Sequence, residues 1–138
     1  MLLQTLVPEH YAIQHAVTHD AQAFLHEESQ LRQALSFPPF GSLALLRVSG
    51  LDQQRAMDEA GRLAQRLKRF AGRGVDVQGP MPAPIERVRG KWRFQVLARA
   101  TSRHVLGVAL NRLVEAADGE RPPSGIQISL DVDPYTFL

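Results

Sequence analysis

A pair of adjacent prolines divides this chain into two parts that cannot belong to one helix. Pro38 and Pro39 stand in the stretch Phe37 to Gly41, and both lack the amide N–H that a helix interior requires. The residue before each proline is also driven toward extended backbone. We therefore predict a domain boundary here, with residues 1–36 as one unit and residues 37–138 as another.

Helical patterns dominate the part before this boundary. Pro8 and Glu9 predict a short helix to about Val17, because proline and an acid both suit a first helical turn. Asp20 is a suitable N-cap for a second helix to about Leu35, with its apolar residues on one broad stripe. Residues 1–36 hold four acids and one base, whereas residues 37–138 hold ten acids and fifteen bases. The two parts differ in charge as well as in pattern, which is typical of pieces of two units.

The second part alternates between strand and helix patterns. The predicted order is strand, helix, strand, strand, helix, strand, in which the two middle strands form a hairpin that turns at Gly90 and Lys91. The last strand alternates apolar and polar residues from Ile126 to Asp133. This order predicts an α+β fold, a ferredoxin-like βαββαβ split sandwich with two helices on one face of an antiparallel sheet.

Basic residues concentrate in and after the predicted hairpin. The cations recur at every second position in its centre, so in an extended chain their side chains would share one face. Trp92, Phe94 and Val96 would then point into the core. Such a row of cations can neutralise phosphates, although cations on an edge strand also guard against aggregation, and the pattern leaves both interpretations open. The candidate DNA-binding residues are Arg87, Arg89, Lys91, Arg93 and Arg99.

Other chemistries find little support in the sequence. The chain has no cysteine, so it has neither disulfides nor thiolate zinc ligands. His15 and His19 have a spacing that suits a metal but lack a matched third ligand, and we expect Asp131 and Asp133 to orient an arginine or a backbone amide. No phosphate-binding loop or catalytic triad pattern is present. We expect a non-catalytic, cytoplasmic protein without a leader segment, a membrane span, a metal or a cofactor.

A series of short motifs follows in order along nearly the whole chain. They are Val7-Pro8-Glu9-His10, Phe37-Pro38-Pro39-Phe40 with Leu43 to Val48, Gly79-Pro80, Arg89-Gly90-Lys91-Trp92-Arg93-Phe94-Gln95, Ser102-Arg103 and Leu130-Asp131-Val132-Asp133-Pro134. Each motif is weak alone, but their order and spacing together are specific. The series resembles the C-terminal part of the primosomal protein N′ (PriA) family of replication-restart helicases.

The resemblance implies a role in replication restart for the parent protein, an ATP-dependent DNA helicase. Residues 1–36 would be the terminal helices of its second helicase lobe, and residues 37–138 its ferredoxin-like C-terminal domain. The ATP, magnesium and zinc motifs of the family are absent from this chain, so the fragment itself should not hydrolyse ATP or unwind DNA.

The resemblance also implies the partners of this domain. It would bind branched or single-stranded DNA, the rest of the helicase, other primosome proteins and the acidic tail of single-stranded DNA-binding protein, in a cytoplasmic, nucleoid-associated setting. Arg103 matches the arginine that contacts this tail, whereas Gly107 stands where some members have a contributing glutamine. The alternatives are a scaffold domain that packs on the helicase core without contacting DNA and, less supported, a small-molecule enzyme, for which no set of convergent polar residues is evident.

Overall fold

The computed structural model describes residues 2–117 and 120–134, which form an α+β fold as predicted. Within the described residues, a four-stranded antiparallel sheet is accompanied by four α-helices and one short 3-10 turn at Gly72–Gly74. No helix in these two ranges combines the length and the apolar character needed to cross a membrane. The elements are α1 (Tyr11–Thr18), α2 (Ala21–Ala34), β1 (Ser42–Gly50), α3 (Gln53–Phe70), β2 (Val75–Val88), β3 (Lys91–Ala100), α4 (Arg103–Ala116) and β4 (Ile126–Val132).

The strands lie in the order β2-β3-β1-β4, and every neighbouring pair is antiparallel. Leu46 of β1 stands opposite Val96 of β3 on one side and Leu130 of β4 on the other. The central strands β1 and β3 are therefore paired along both edges, while β2 and β4 form the two outer strands.

Strand β2 is longer than the sequence pattern predicted. The sequence pattern divides a short strand at Val75–Gln78 from the hairpin strand at Ile85–Arg89, but the structure has one strand, Val75–Val88. Its register with β3 shifts between Gln78 and Met81 and again between Pro82 and Arg87. Because β2 is an outer strand, its prolines at positions 80, 82 and 84 interrupt no ladder on the outer side, and the register shifts accommodate them.

Helices α3 and α4 pack on the same face of the sheet. Alternate residues of the central strands, such as Leu46 and Val96, form one core with Leu67 of α3 and Leu106 of α4. Both helical leucines are fully buried. Burial of each such side chain contributes roughly 1.5–3 kcal/mol, so this face supplies much of the stability that keeps the strands in register.

Helices α1 and α2 are held to each other by polar side chains and by contacts of the Phe24 ring with Tyr11 and His15. The Tyr11 hydroxyl donates a hydrogen bond to Glu28, and Arg32 Nε donates to the same carboxylate over 2.5 Å. His15 Nε2 lies 2.8 Å from a carboxylate oxygen of Glu27. Neither helix contains a buried residue. Their apolar stripe is largely solvent-exposed, including Leu25, Leu31 and Leu35.

Helix α2 begins as the sequence predicted, whereas α1 begins at Tyr11, after Pro8 and Glu9, which were predicted to lie in its first turn. The Asp20 carboxylate accepts a hydrogen bond from the Ala23 amide over 2.9 Å, which satisfies one of the unpaired donors of the first turn of α2. In α1 the His10 Nδ1 atom accepts from the Ala12 amide over 3.2 Å. The caps fix where each helix begins, and Glu28 then connects the two.

Protonation of Glu28 should loosen α1 from α2. The hydrogen bonds from Tyr11 and Arg32 lower the pKa of the Glu28 carboxyl. A lowered pKa means that the carboxylate stabilises the folded pair at neutral pH and loses this effect as the pH falls through its titration range. We expect Glu28→Gln to reduce the amide exchange protection of α1 at neutral pH, and to remove the loss of protection that the unchanged chain shows on acidification.

A matched control is Glu9→Gln, which removes the same charge from an exposed residue ahead of α1. It should leave the protection of α1 unchanged. If the Glu28 variant protects α1 as well as the unchanged chain does at neutral pH, this carboxylate does not hold the two helices together.

Candidate nucleic-acid interface

The β2-β3 hairpin turns at Arg89 and Gly90, one residue earlier than predicted. Both residues have positive φ angles, 50° and 80°. Two consecutive positive φ angles are typical of the type I′ turn that joins two-residue hairpins. Lys91, predicted as a turn residue, is instead the first residue of β3.

This turn places the cations of the hairpin on two faces, so the predicted single row is wrong. Arg87 stands opposite Trp92, and Val88 stands opposite Lys91. Residues opposite each other in an antiparallel pair share a face of the sheet. Arg87 therefore lies on the helix-packed face, whereas Lys91 and Arg93 lie on the other face. Side chains alternate between the two faces along one strand. Across the two-residue turn this alternation is reversed, so Arg87 shares a face with Trp92 and not with Lys91.

On the helix-packed face, Arg87 lies against the only tryptophan of the sequence. The guanidinium carbon is 5.2 Å from the centroid of the Trp92 ring, within the range of a cation–π contact. Trp92 is partly buried and packs against the core, as its predicted orientation requires. Arg87 itself is exposed.

The remaining cations surround the end of the hairpin. Arg89 is exposed in the turn, and Lys91 donates a hydrogen bond over 2.9 Å to the side-chain oxygen of Gln127. Arg93 is partly exposed on the face of the sheet opposite α3 and α4, where its cross-strand partner is Ser49. Within residues 2–117 and 120–134, no carboxylate lies within ion-pair distance of these cations. We name them the tip cluster: Arg87, Arg89, Lys91 and Arg93.

Arg99, the fifth predicted DNA-binding residue, lies at the other end of the sheet. It is six residues beyond Arg93 along β3, or about 20 Å. Its guanidinium donates to Asp76 of β2 and to the backbone carbonyl of Leu35 at the end of α2, both over 3.0 Å. Arg99 thus connects the sheet to the helical pair, and the structure does not bring it together with the tip cluster.

Arg103 begins α4 at the same end of the sheet. Its side chain is 79% exposed, and its nearest carboxylate oxygen within ion-pair range, on Asp133, is 3.9 Å away. Ser102 precedes it as the N-cap but makes no side-chain capping bond. The backbone donors of this helix start and the Arg103 guanidinium are therefore available near each other. One turn later, a side chain at Gly107 would project into open space.

The two aspartates of the last strand act as predicted. Asp133 accepts a hydrogen bond from the Leu43 amide over 3.0 Å, and Asp131 lies 3.5 Å from a guanidinium nitrogen of Arg47. Both contacts connect β4 to β1. In the part of the chain that the structure describes, no group of three or more histidines and acids is placed to hold a metal ion.

Comparison with known proteins gives the family. The family model described as "Primosomal protein N C-terminal domain" matches residues 33–135, which include the double proline, the complete sheet and both packed helices. The chain belongs to this family. The match confirms the resemblance that the motif series predicted.

Relatives of the primosomal protein N family align with the complete chain or nearly so. The replication restart protein PriA of Bacillus subtilis is 31% identical over 138 residues, 100% of this chain and 17% of that protein. The PriA protein of Haemophilus influenzae is 33% identical over 97% of this chain and 18% of its own length, and that of Treponema pallidum is 32% identical over 100% and 20%. The chain thus spans a fifth or less of the length of these relatives.

Removing the Arg99 side chain should loosen the junction between α2 and the sheet. Arg99→Gln removes the charged donors to the Leu35 carbonyl and to Asp76, and partly exposed contacts of this kind contribute on the order of 1 kcal/mol. We expect amide exchange at Ser36 and Phe37 to become roughly fivefold faster. Arg93→Gln, on the same strand, is the control and should leave these amides unchanged. Equal exchange in both variants would show that Arg99 does not hold the junction.

Proposed function

We propose that this chain is the non-catalytic C-terminal module of a replication-restart helicase and that its tip cluster binds single-stranded or branched DNA. The observation that carries the proposal is the set of exposed or partly exposed cations at the end of one hairpin, with no ion-paired carboxylate among the described residues. Phosphates can approach such cations without displacing an internal partner. ATP hydrolysis and unwinding would belong to segments of the parent protein outside this chain.

The placement of the tip cluster on both faces suits a flexible strand better than a rigid one. Arg87 projects from one side of the sheet, Lys91 and Arg93 from the other, and Arg89 from the turn between them. A phosphate backbone that bends around the tip can contact cations on both sides in succession. Each neutralised phosphate releases counterions, so the affinity should depend strongly on salt.

Two further inferences concern the fold of residues 37–138 and the origin of residues 1–36. We infer that residues 37–138 form the ferredoxin-like C-terminal domain and that residues 1–36 are the terminal helices of the second helicase lobe. The order β2-β3-β1-β4 and the packing of α3 and α4 on one face support the first inference. The exposed leucines of α2 support the second, because an apolar stripe of this kind is usually covered by a neighbouring unit.

A salt titration tests the tip cluster. We expect the chain to bind a fluorescein-labelled thymidine oligonucleotide with an affinity that falls linearly on a logarithmic salt scale. The triple variant Arg89→Ala, Lys91→Ala, Arg93→Ala should bind more weakly and lose about 0.7 from the slope for each phosphate contact removed. Fluorescence anisotropy at four or more salt concentrations gives both quantities.

The matched control removes equal charge elsewhere, with Lys68→Ala, Arg69→Ala and Arg73→Ala at the end of α3 and in the turn after it. It should keep most of the salt slope. If both triple variants lose the same slope, binding depends on total charge and the tip cluster has no special role.

We further propose that Arg103 contacts the acidic tail of single-stranded DNA-binding protein. Its exposed guanidinium can form a bidentate pair with a carboxylate, and the start of α4 favours negative charge through its free amides and its dipole. Gly107 offers no side-chain donor, so the tail should bind weakly.

A synthetic peptide of this acidic tail tests the assignment in a calorimetric or anisotropy titration. Arg103→Ala should weaken binding about tenfold or more, because a charge-assisted bidentate contact contributes about 1.5–3 kcal/mol. Gly107→Gln should strengthen binding severalfold, since the added side chain meets no neighbour and restores a donor. Unchanged affinity in the Arg103 variant would exclude this residue as the contact.

A second candidate is a scaffold domain that packs on the helicase core without contacting DNA. The exposed apolar stripe of α2 and the Arg99 connection behind it favour this function. It differs from the first candidate in that the isolated chain would show no DNA binding at any salt concentration. The other primosome proteins would then contact the chain through the parent helicase alone.

A further inference from the structure

We propose that Trp92 is a stacking platform for an unpaired base, and that Arg87 lies over the ring until a base displaces it. The inference rests on the proposed DNA binding and makes it more specific, because it selects nucleic acid with accessible base faces. Bases within a duplex are already stacked and cannot present a face to the ring. The ligand is therefore a single strand or the single-stranded part of a branched structure.

The position of Trp92 at the end of the sheet supports this role. On the helix-packed face, Arg87, Trp92, Gly50 and Ile126 form one row across the strands. Gly50 has no side chain, and the Cδ1 atom of Ile126 occupies the space that a side chain there would need. A Cβ atom added to Gly50 would lie only 2.6 Å from Ile126 Cδ1. The ring packs against the core, and the exposed cation of Arg87 lies over it from β2.

The magnitudes favour replacement of Arg87 by a base. A cation–π contact at an exposed site is equivalent to a factor of about two to five in an equilibrium constant. Among the described residues, this guanidinium also donates a long hydrogen bond of 3.4 Å to the Gly90 carbonyl. Stacking of a base on an aromatic ring contributes a factor of about five to one hundred and fifty. A displaced Arg87 remains beside the strand and can pair with its phosphate.

The experiment compares two oligonucleotides of equal length and charge, a thymidine 12-mer and an abasic 12-mer, with the complete chain. Because Trp92 is the only tryptophan, its fluorescence reports directly on the ring. We expect the thymidine 12-mer to quench this fluorescence and to bind at least about fivefold more tightly than the abasic 12-mer. The abasic 12-mer should bind with little quenching, through phosphates alone.

Three variants distinguish the contribution of base stacking to the affinity from the contribution of charge. Trp92→Leu should lower the affinity for the thymidine 12-mer to that for the abasic 12-mer and leave the latter unchanged, while Trp92→Phe should retain an intermediate preference. Arg87→Gln should keep or increase the preference for thymidine while it reduces the salt slope. Circular dichroism checks that each variant is folded, and the comparison of the two oligonucleotides needs no variant at all.

The outcomes distinguish this inference from the function on which it rests. Equal affinity of the unchanged chain for both 12-mers, without quenching, would overturn the stacking platform and leave DNA binding by the tip cluster intact. An absence of any anisotropy change with either 12-mer at low salt would overturn the DNA-binding function and the platform with it.

Discussion

The turn at Arg89 and Gly90 determines where every functional side chain of the hairpin lies. Its two positive φ angles require Val88 to stand opposite Lys91, and this pairing continues along β3 from residue to residue. An arginine in left-handed backbone costs on the order of 1 kcal/mol, so the sheet must hold it there. The cost is offset by the packing of β3 between β2 and β1, and the result is a cation at the outermost point of the hairpin.

The apolar core on one face of the sheet fixes this register between β2 and β3. Val96 and Ala98 of β3 are fully buried beneath α3 and α4, and a slip by one residue would replace them with Gln95 and Leu97 on the helix-packed face. The same alternation assigns Trp92 to the helix-packed face and Arg93 to the opposite face. The chemistry at the tip is therefore a consequence of apolar packing three to six residues away.

Patterns in the sequence predict those features that depend on neighbouring residues. The cap at Asp20, the end of α2 before the double proline and the strand from Ile126 all follow from local rules, and the structure agrees with them. The faces of the cations could not be predicted in this way, because a turn displaced by one residue reverses them. The contact of Arg99 with the Leu35 carbonyl could not be predicted either, because a backbone acceptor 64 residues away in the sequence leaves no pattern there. The roles of the tip cluster and of Arg103 in binding stay predictions.

The two ends of β3 differ in their electrostatics, and this difference supports the proposal of a different ligand for each end. At one end, Arg99 and Arg103 both have carboxylate neighbours, Asp76 and Asp133, so a polyanion would meet opposing charge there. A single peptide carboxylate, in contrast, needs only one exposed guanidinium and the free amides of a helix start. At the other end the tip cluster has no such neighbours among the described residues and is surrounded by solvent. Because phosphates gain most where no internal partner must be displaced, the tip suits a nucleic acid strand.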